Sequence, residues 1–507
     1  MSRRPAPVEV ELKLLVPRNA VARLLRHPLL RTGPRAARSR LHSVYYDTPA
    51  LDLQRHGHTL RVRREGRRWV QALKGGGQAQ GGLHRRAELE TDLAGPALDA
   101  AGLRARGLGG ELASPEVRAR LRPLFTPDFV RTRRVLQPRP GVRIEASVDQ
   151  GFIRSGARRA ELSELELELK AGAPRDLYDL ALQLAAAVPL AISDRSKAER
   201  GYALALDRAD RPVRATPAAL DRNLSVYDAF RTVLWGGLSH LQGNEAGMAG
   251  GRDIEYLHQM RVAVRRLRSA VGIVAPLFPD GRLAPFRRDL MWLASRLGPA
   301  RDWDVFVTET VPAIASGPYA DDALQHFLPR CEALRRGAHR GARRAMRSRR
   351  YRRFTLALAA WLVQEDDRQG LDEPALAALA APVPDYAGRV LRKRYRRAKK
   401  KGRGLGRCTS RELHRLRIAI KKLRYAADFF SGLYDPAAVR GMLKRLARLQ
   451  DILGAINDAA TASRLADEAG GATVRRVVMR WRRARTGVLR RELKAAWRQF
   501  RATETFW

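Results

Sequence analysis

Cysteine is almost missing from this chain: its 507 residues include two, Cys331 and Cys408. That is too few for a disulfide framework, and the two have no metal-ligand spacing. Long apolar runs are missing too. A membrane span needs ~18 residues, whereas Leu177 to Ile192 is interrupted by Asp179 and Gln183, and Leu356 to Val363 is too short. The first residues, Met1 to Pro5, lack the apolar core of a secretory signal. A cytoplasmic protein is therefore expected. Acidic residues are scarce, 52 against 97 Lys and Arg, giving a net charge of +45. Such an excess repels itself unless a polyanion is near, so nucleic acid, an acidic membrane surface and inorganic polyphosphate are all candidate partners. Lysine is scarce in turn, 12 of the 97. Arginine forks phosphate bidentately, but so uniform a bias carries little weight alone.

What is present divides the chain. At roughly 100 to 200 residues per domain, about three structural units are expected. Up to residue 210 there are 38 basic and 24 acidic residues (+14), and beyond it 59 and 28 (+31). Val8 to Leu14, Thr59 to Arg63, Trp69 to Lys74, Arg86 to Thr91, Val142 to Asp149 and Ser163 to Lys170 alternate apolar and polar, predicting half-buried strands. Residues 206–219, rich in Asp, Arg, Pro, Ala and Thr, read as a linker between a segment 1–205 and a helical segment 220–507. The helical segment repeats itself. His258-Gln-Met-Arg261-Val-Ala-Val-Arg265-Arg266-Leu-Arg268 matches His414-Arg-Leu-Arg417-Ile-Ala-Ile-Lys421-Lys422-Leu-Arg424 at an offset of 156, and Leu297-Gly298…Asp302 matches Leu453-Gly454…Asp458 in the same register. Two helical bundles, about 220–370 and 380–507, related by approximate symmetry, are predicted.

In the strand region, Glu9, Glu11 and Lys13 share one strand face by period two, opposite Val8, Val10, Leu12 and Leu14. Glu164, Glu166 and Glu168 form a similar row, as do Arg61 with Arg63 and Glu88 with Glu90. A single row of this kind reads as a solvated outer face. Like charges along a face repel, so several acidic and basic rows that converge would instead line a site for divalent cations and phosphates. His56, His58 and His84 read as surface or loop residues.

The order VEVELK, SVYYDTP (Ser43 to Pro49), LRVR (Leu60 to Arg63), QALK (Gln71 to Lys74), RTRR (Arg131 to Arg134), ELELELK (Glu164 to Lys170) and SKAERG (Ser196 to Gly201) resembles the CYTH family of triphosphate tunnel enzymes. The resemblance implies an eight-stranded antiparallel barrel whose acidic residues hold Mg²⁺ or Mn²⁺ and whose basic residues hold a triphosphate. Carried over, Glu9, Glu11, Glu164, Glu166 and Glu168 are the metal-ligand candidates; the last three share parity, so spacing does not choose among them. Lys13, Arg61, Arg63, Lys74, Arg133, Lys197 and Arg200 are the phosphate-ligand candidates, and Asp149 is a candidate for positioning metal or water. The family includes inorganic, thiamine and RNA triphosphatases and adenylyl cyclases, and the shared motifs do not choose the substrate.

On a helical wheel of about 100° per residue, His258, Arg261, Arg265 and Arg268 fall within one arc of about 80°. His414, Arg417, Lys421 and Arg424 repeat it. The bland reading of one such helix is a solvated basic face; two with the same stripe point to an anion. Both repeats resemble the CHAD family, which implies two four-helix bundles around a pseudo-twofold axis, binding inorganic polyphosphate on these residues. Asp302 and Asp458 are expected to orient neighbouring arginines. The runs Arg340 to Arg353 and Arg392 to Lys401 fall outside the repeat and read as solvated helix faces or a loop, with an extension of a polyanion path as the alternative.

The sequence therefore predicts an α+β multidomain protein, a β tunnel followed by an all-α domain. By resemblance to bacterial CYTH and CHAD proteins it is expected to hydrolyse inorganic triphosphate to pyrophosphate and phosphate and to bind polyphosphate, with polyphosphate granules as an implied location. The rivals are a nucleoside or thiamine triphosphatase, an adenylyl cyclase, or a non-enzymatic protein binding polyphosphate or, non-specifically, nucleic acid.

Overall fold

A computed structural model describes residues 8–32, 35–99, 102, 114–251, 253–364 and 368–507. The chain forms two compact units. One runs to Asp210 and also takes in Arg352–Asp367; the other comprises Arg211–Tyr351 and Arg368–Trp507. No helix among the described residues is long and apolar enough to cross a membrane.

The first unit is a closed antiparallel barrel. Its strands are β1 (Val8–Leu15), β2 (Ala37–Asp47), β3 (Thr59–Glu65), β4 (Arg68–Gln80), β5 (Leu83–Leu93), β6 (Arg122–Leu136), β7 (Arg143–Ser155) and β8 (Arg158–Ala171). They pair in the order β5-β4-β3-β2-β6-β7-β8-β1, and β1 pairs again with β5, which removes both edges. The barrel is inverted relative to an ordinary core: charged residues point inward and aliphatic ones outward. Leu12, Leu14, Leu165 and Leu167 are fully buried on the outer face, where the helix Pro174–Ala185 packs on β1 and β8 with Leu177, Leu180 and Leu184 turned inward. Each such leucine contributes about 2 kcal/mol by burial. Two of the strands, β2 and β6, lack clean alternation and are announced in the sequence only by the SVYYDTP and RTRR motifs.

The motif residue Asp47 explains why β2 ends where it does. Its carboxylate accepts from the backbone N–H of Thr48, Leu53 and Gln54 at 2.7, 3.0 and 3.0 Å and from Tyr202 Oη at 2.8 Å, tying the β2–β3 turn to the helix Lys197–Ala205. That helix starts on a capping box, in which Ser196 Oγ accepts from Glu199 N and Glu199 Oε2 accepts from Ser196 N. Gly201 lets it lie against the barrel, since a Cβ there would come within 2.1 Å of the Phe125 ring.

The second unit is helical throughout its long elements. Two basic helices, Ile254–Val274 and Ser410–Phe429, carry the repeated motif. Each is followed by a long helix, Ala284–Val305 or Pro436–Ala469. The first of these runs into a π-helical turn, Phe306–Thr310, and a short helix, Val311–Ala315. Two outer helices, Ala323–Arg347 and Ala472–Ala502, complete the pattern. On the basic helices Leu257, Met260, Val264 and Leu267, and likewise Leu413, Leu416, Ile420 and Leu423, are buried. This aliphatic side of each basic helix is its packed face.

Candidate functional site

Inward parity brings the charged rows into one cavity of about 580 Å³. It is lined from β1 by Glu9, Glu11 and Lys13, from β3 by Arg61 and Arg63, from β4 by Lys74, from β5 by Glu88 and Glu90, from β6 by Arg131 and Arg133, and from β8 by Glu166 and Glu168; Lys197 reaches in from its helix. Glu164, Asp149 and Arg200 do not line the cavity. They lie beneath its wall, Glu164 and Asp149 almost completely buried.

Strand register sorts these groups. Glu11 of β1 and Glu145 of β7 both stand directly opposite Glu168 of β8, so three carboxylates lie abreast across neighbouring strands. Like charges so placed are destabilising by themselves. Burial raises the Glu168 carboxyl, and Glu9 and Glu145 raise it further against the pull of Lys170. One position along, Lys13 stands opposite Glu166, its Nζ hydrogen-bonded to Glu166 and 2.7 Å from Glu11 Oε1. Burial alone would lower this ammonium, but Glu11, Glu166 and Glu164 hold it above its ordinary value. Deeper still, Asp149, Glu164 and Glu166 bring carboxylate oxygens within 4.8 Å of one another, the only such trio among the described residues. A cation is already there: Lys197 Nζ lies 2.7 Å from Asp149, 2.9 Å from Glu166 and against Glu164. Arg131 grips both oxygens of Asp149 at 2.8 and 2.7 Å and also bonds Glu166, and Arg200 bonds Glu164 at 3.1 Å. Burial pushes Glu166 up, but Lys13, Lys197 and Arg131 hold it well below the usual carboxylate range.

Across the barrel basic and acidic groups interleave, and Arg63 lies 2.5 Å from Glu65 and 3.3 Å from Glu90. Lys74 bridges Glu9 at 2.6 Å and Glu88 at 2.9 Å, and Arg61 meets Glu88 at 3.1 Å. The Nε atoms of Arg61 and Arg63 are nevertheless buried without a hydrogen-bond partner. Burial, together with Arg61 and Arg131, lowers Arg63 to about 10 although Glu65 and Glu90 oppose it. Cationic donors left without partners in a closed space are costly unless an anion meets them. Arg133 is the loosest of the expected phosphate ligands, its side chain 56% exposed and 3.8 Å from Glu145. Arg131 and Glu145 are the residues that motif reading passed over, although the parity that places Arg133 and Asp149 inward includes them. His84, read as a surface or loop residue, is buried on β5 beside Ser193 O at 3.1 Å. Burial and Lys13 lower it to about 4, so it packs as a neutral ring.

In the helical unit the two stripes converge. Arg265 Nε donates to Tyr425 Oη of the second basic helix at 3.1 Å, and Arg266 bonds Asp428. Burial and the neighbours Arg265, Arg301 and Arg417 lower Arg261 to about 10, with Asp302 opposing. Burial, Arg417, Arg265 and Arg261 lower Lys421 to about 7, with Asp458 opposing. Arg261 Nε and Arg417 Nε, equivalent positions of the repeat, are both buried without a hydrogen-bond partner. Asp302 stands 3.8 Å from Arg261 and 3.5 Å from Arg464. Burial and Arg301 lower His258 to about 4, so this ring is neutral, and His414 Nδ1 is 3.2 Å from Asn457 Oδ1. Farther along, Arg268 lies near Arg287 and Lys422, and Arg424 donates to Gln450 at 3.0 Å. Most of the run Arg392 to Lys401 is exposed; among the half-buried members, Arg394 donates to Ser269 Oγ at 3.1 Å.

Comparison with known proteins matches residues 8–202 to the CYTH domain and 232–467 to the CHAD domain. An inorganic triphosphatase from Haemophilus influenzae is 34% identical over 164 residues, 32% of this chain and 46% of that protein. The match thus spans less than half of that relative. Among solved structures, the CHAD domain of the plant Ricinus communis is 30% identical, with 59% of this chain and 99% of that chain covered and a TM-score of 0.49. HpAC1 from Hippeastrum, described as having a dominant triphosphatase activity, is 20% identical, with coverage of 38% and 95% and a TM-score of 0.31. The chain contains a CYTH domain followed by a CHAD domain.

Proposed function

We propose that the barrel hydrolyses inorganic triphosphate to pyrophosphate and phosphate with a divalent cation, and that the helical unit binds inorganic polyphosphate. The row Glu11, Glu168 and Glu145 carries the first part. Three carboxylates abreast, with Glu9 near Glu168, offer oxygen donors of the kind Mg²⁺ or Mn²⁺ takes, and Lys13, Lys170 and Lys74, at 2.7, 2.5 and 2.6 Å from Glu11, Glu168 and Glu9, are the cations such a metal would displace. Glu166 and Glu164 are spoken for by Lys13, Lys197 and Arg200 and act instead to hold those cations in place. When bound, the metal supplies neutralisation of phosphate oxygens and a more acidic water. Arg61, Arg63, Lys74 and Arg131 grip the triphosphate, and their charge is fixed in position before the loose transition state develops. Asp149 positions Arg131 and Lys197.

Phosphate release from tripolyphosphate, ATP and thiamine triphosphate, with and without Mg²⁺, tests this. Metal-dependent release favouring tripolyphosphate is expected. Preference for ATP or thiamine triphosphate would move the reading to those triphosphatases, pyrophosphate with cyclic AMP from ATP would make it a cyclase, and no turnover would leave a binding protein. The second part is carried by the paired, partnerless Nε donors of Arg261 and Arg417, with Arg265 and Lys421 as their charged neighbours. Polyphosphate binding by the full chain in EDTA, weakened in Arg261→Ala/Lys421→Ala, is the expected outcome.

A further inference from the structure

The repeat creates a comparison inside the molecule. Each basic helix has a cleft beside its N-terminal turn, closed on the far side by the outer helix of its own half. The first cleft, about 230 Å³, lies against Ile254 and Leu257; the second, about 630 Å³, lies against the equivalent Ser410 and Leu413. Their charge differs. The first has Asp253 and Glu332 in its lining, and its Arg335 is committed, bonding Glu332 at 3.0 Å and the buried Asp304 at 2.8 Å, with His339 also 2.7 Å from Asp304. In the second, position 460, which is 304 shifted by the repeat offset, is Ala460, and no carboxylate lines the space. Arg411, Arg482, Arg483 and Arg490 line it, and the first three have no carboxylate partner among the described residues. The second cleft also contains His414, the first residue of the second basic stripe, so it opens directly onto that stripe.

We propose that this second cleft is a further phosphate-chain site, where a polyphosphate strand leaves the central stripes, so that the path is extended on the second half only. The proposal rests on the polyphosphate reading of the helical unit. Four guanidinium groups around a space with an aliphatic floor (Leu413, Leu453, Ile456) can fork successive phosphates. No Phe, Tyr or Trp lines the cleft, so it lacks the stacking platform that single-stranded nucleic acid uses. A bare inorganic chain fits it better.

The experiment measures binding of short-chain and long-chain polyphosphate to the full chain in EDTA over a series of salt concentrations, for three variants. Arg411→Ala/Arg482→Ala/Arg483→Ala should weaken the long chain about tenfold and reduce its log-log salt slope by about 2, at roughly 0.7 per lost contact as for single strands. Short chains held by the central stripes should bind as before. Arg336→Ala/Arg340→Ala/Arg343→Ala, which removes the same charge from the first half, should change neither. Arg261→Ala/Lys421→Ala should weaken both lengths. Equal behaviour of the first two variants would overturn the second cleft, whether they match wild type or weaken together. If the central variant alone matches wild type, the polyphosphate reading itself fails. An equal loss of single-stranded DNA binding in the Arg411 variant would overturn the assignment to an inorganic chain.

Discussion

Lys197 Nζ lies 2.7 Å from Asp149 Oδ2 in a space shared with Glu164 and Glu166, so a side chain fills the tightest carboxylate cluster of the barrel with its own positive charge. Removing that charge should be costly. Lys197→Met is expected to destabilise the protein by about 3–5 kcal/mol, the usual cost of leaving a buried charge unpaired. Adding Glu164→Gln should recover part of the loss, which denaturant titration of the single and double variants would show.

The two ends of the Glu row should separate function from stability. Glu166→Ala leaves Lys13, Lys197 and Arg131 short of a partner and should lower stability by about 3 kcal/mol. Glu168→Gln relieves carboxylate crowding, so it should leave the fold intact while phosphate release with Mg²⁺ falls at least about 100-fold. Wild-type turnover in Glu168→Gln would show that this row is only a lining.

On the proposed triphosphate reading Arg63→Ala should raise KM and lower kcat together, since its buried, partnerless Nε would meet phosphate in both ground and transition states. Arg133→Ala, with a side chain 56% exposed, should change either parameter less than about threefold. Steady-state kinetics on tripolyphosphate compares them directly.

Lys421 sets a pH dependence. Its folded value of about 7 lies below the ordinary 10.5, so between these values the unfolded chain binds more protons and stability rises with pH. A bound polyanion favours the ammonium. Polyphosphate affinity should therefore fall as pH rises from about 6 to about 9, with proton uptake on binding above pH ~7. Lys421→Met should flatten that profile while Arg261 and Arg417 retain part of the binding.

Strand and helix periods were legible because each reports a local geometry. Period two put Glu9, Glu11 and Lys13 on one face, and the 156-residue offset paired Arg261 with Arg417. Strands β2 and β6 were not legible from alternation. Inside an inverted barrel the inward face takes small polar and even apolar residues as well as charged ones: Ser39, Ser43 and the aliphatic Leu41 of β2 line the cavity beside the arginines. Burial of His84 was equally hidden, for a histidine in a strand looks the same whether the segment around Ser193 or water covers it.

Sequence by itself determined which side chains share a face, because that follows from backbone period alone. It also determined that the chain repeats and where charge accumulates. Register and barrel closure decided the rest. They set Glu168 between Glu11 and Glu145 while lodging Lys197 against Glu164, a distinction between three glutamates of identical parity. That difference depends on which strand lies alongside and which helix end reaches over the rim, and both are contacts between residues far apart in the chain.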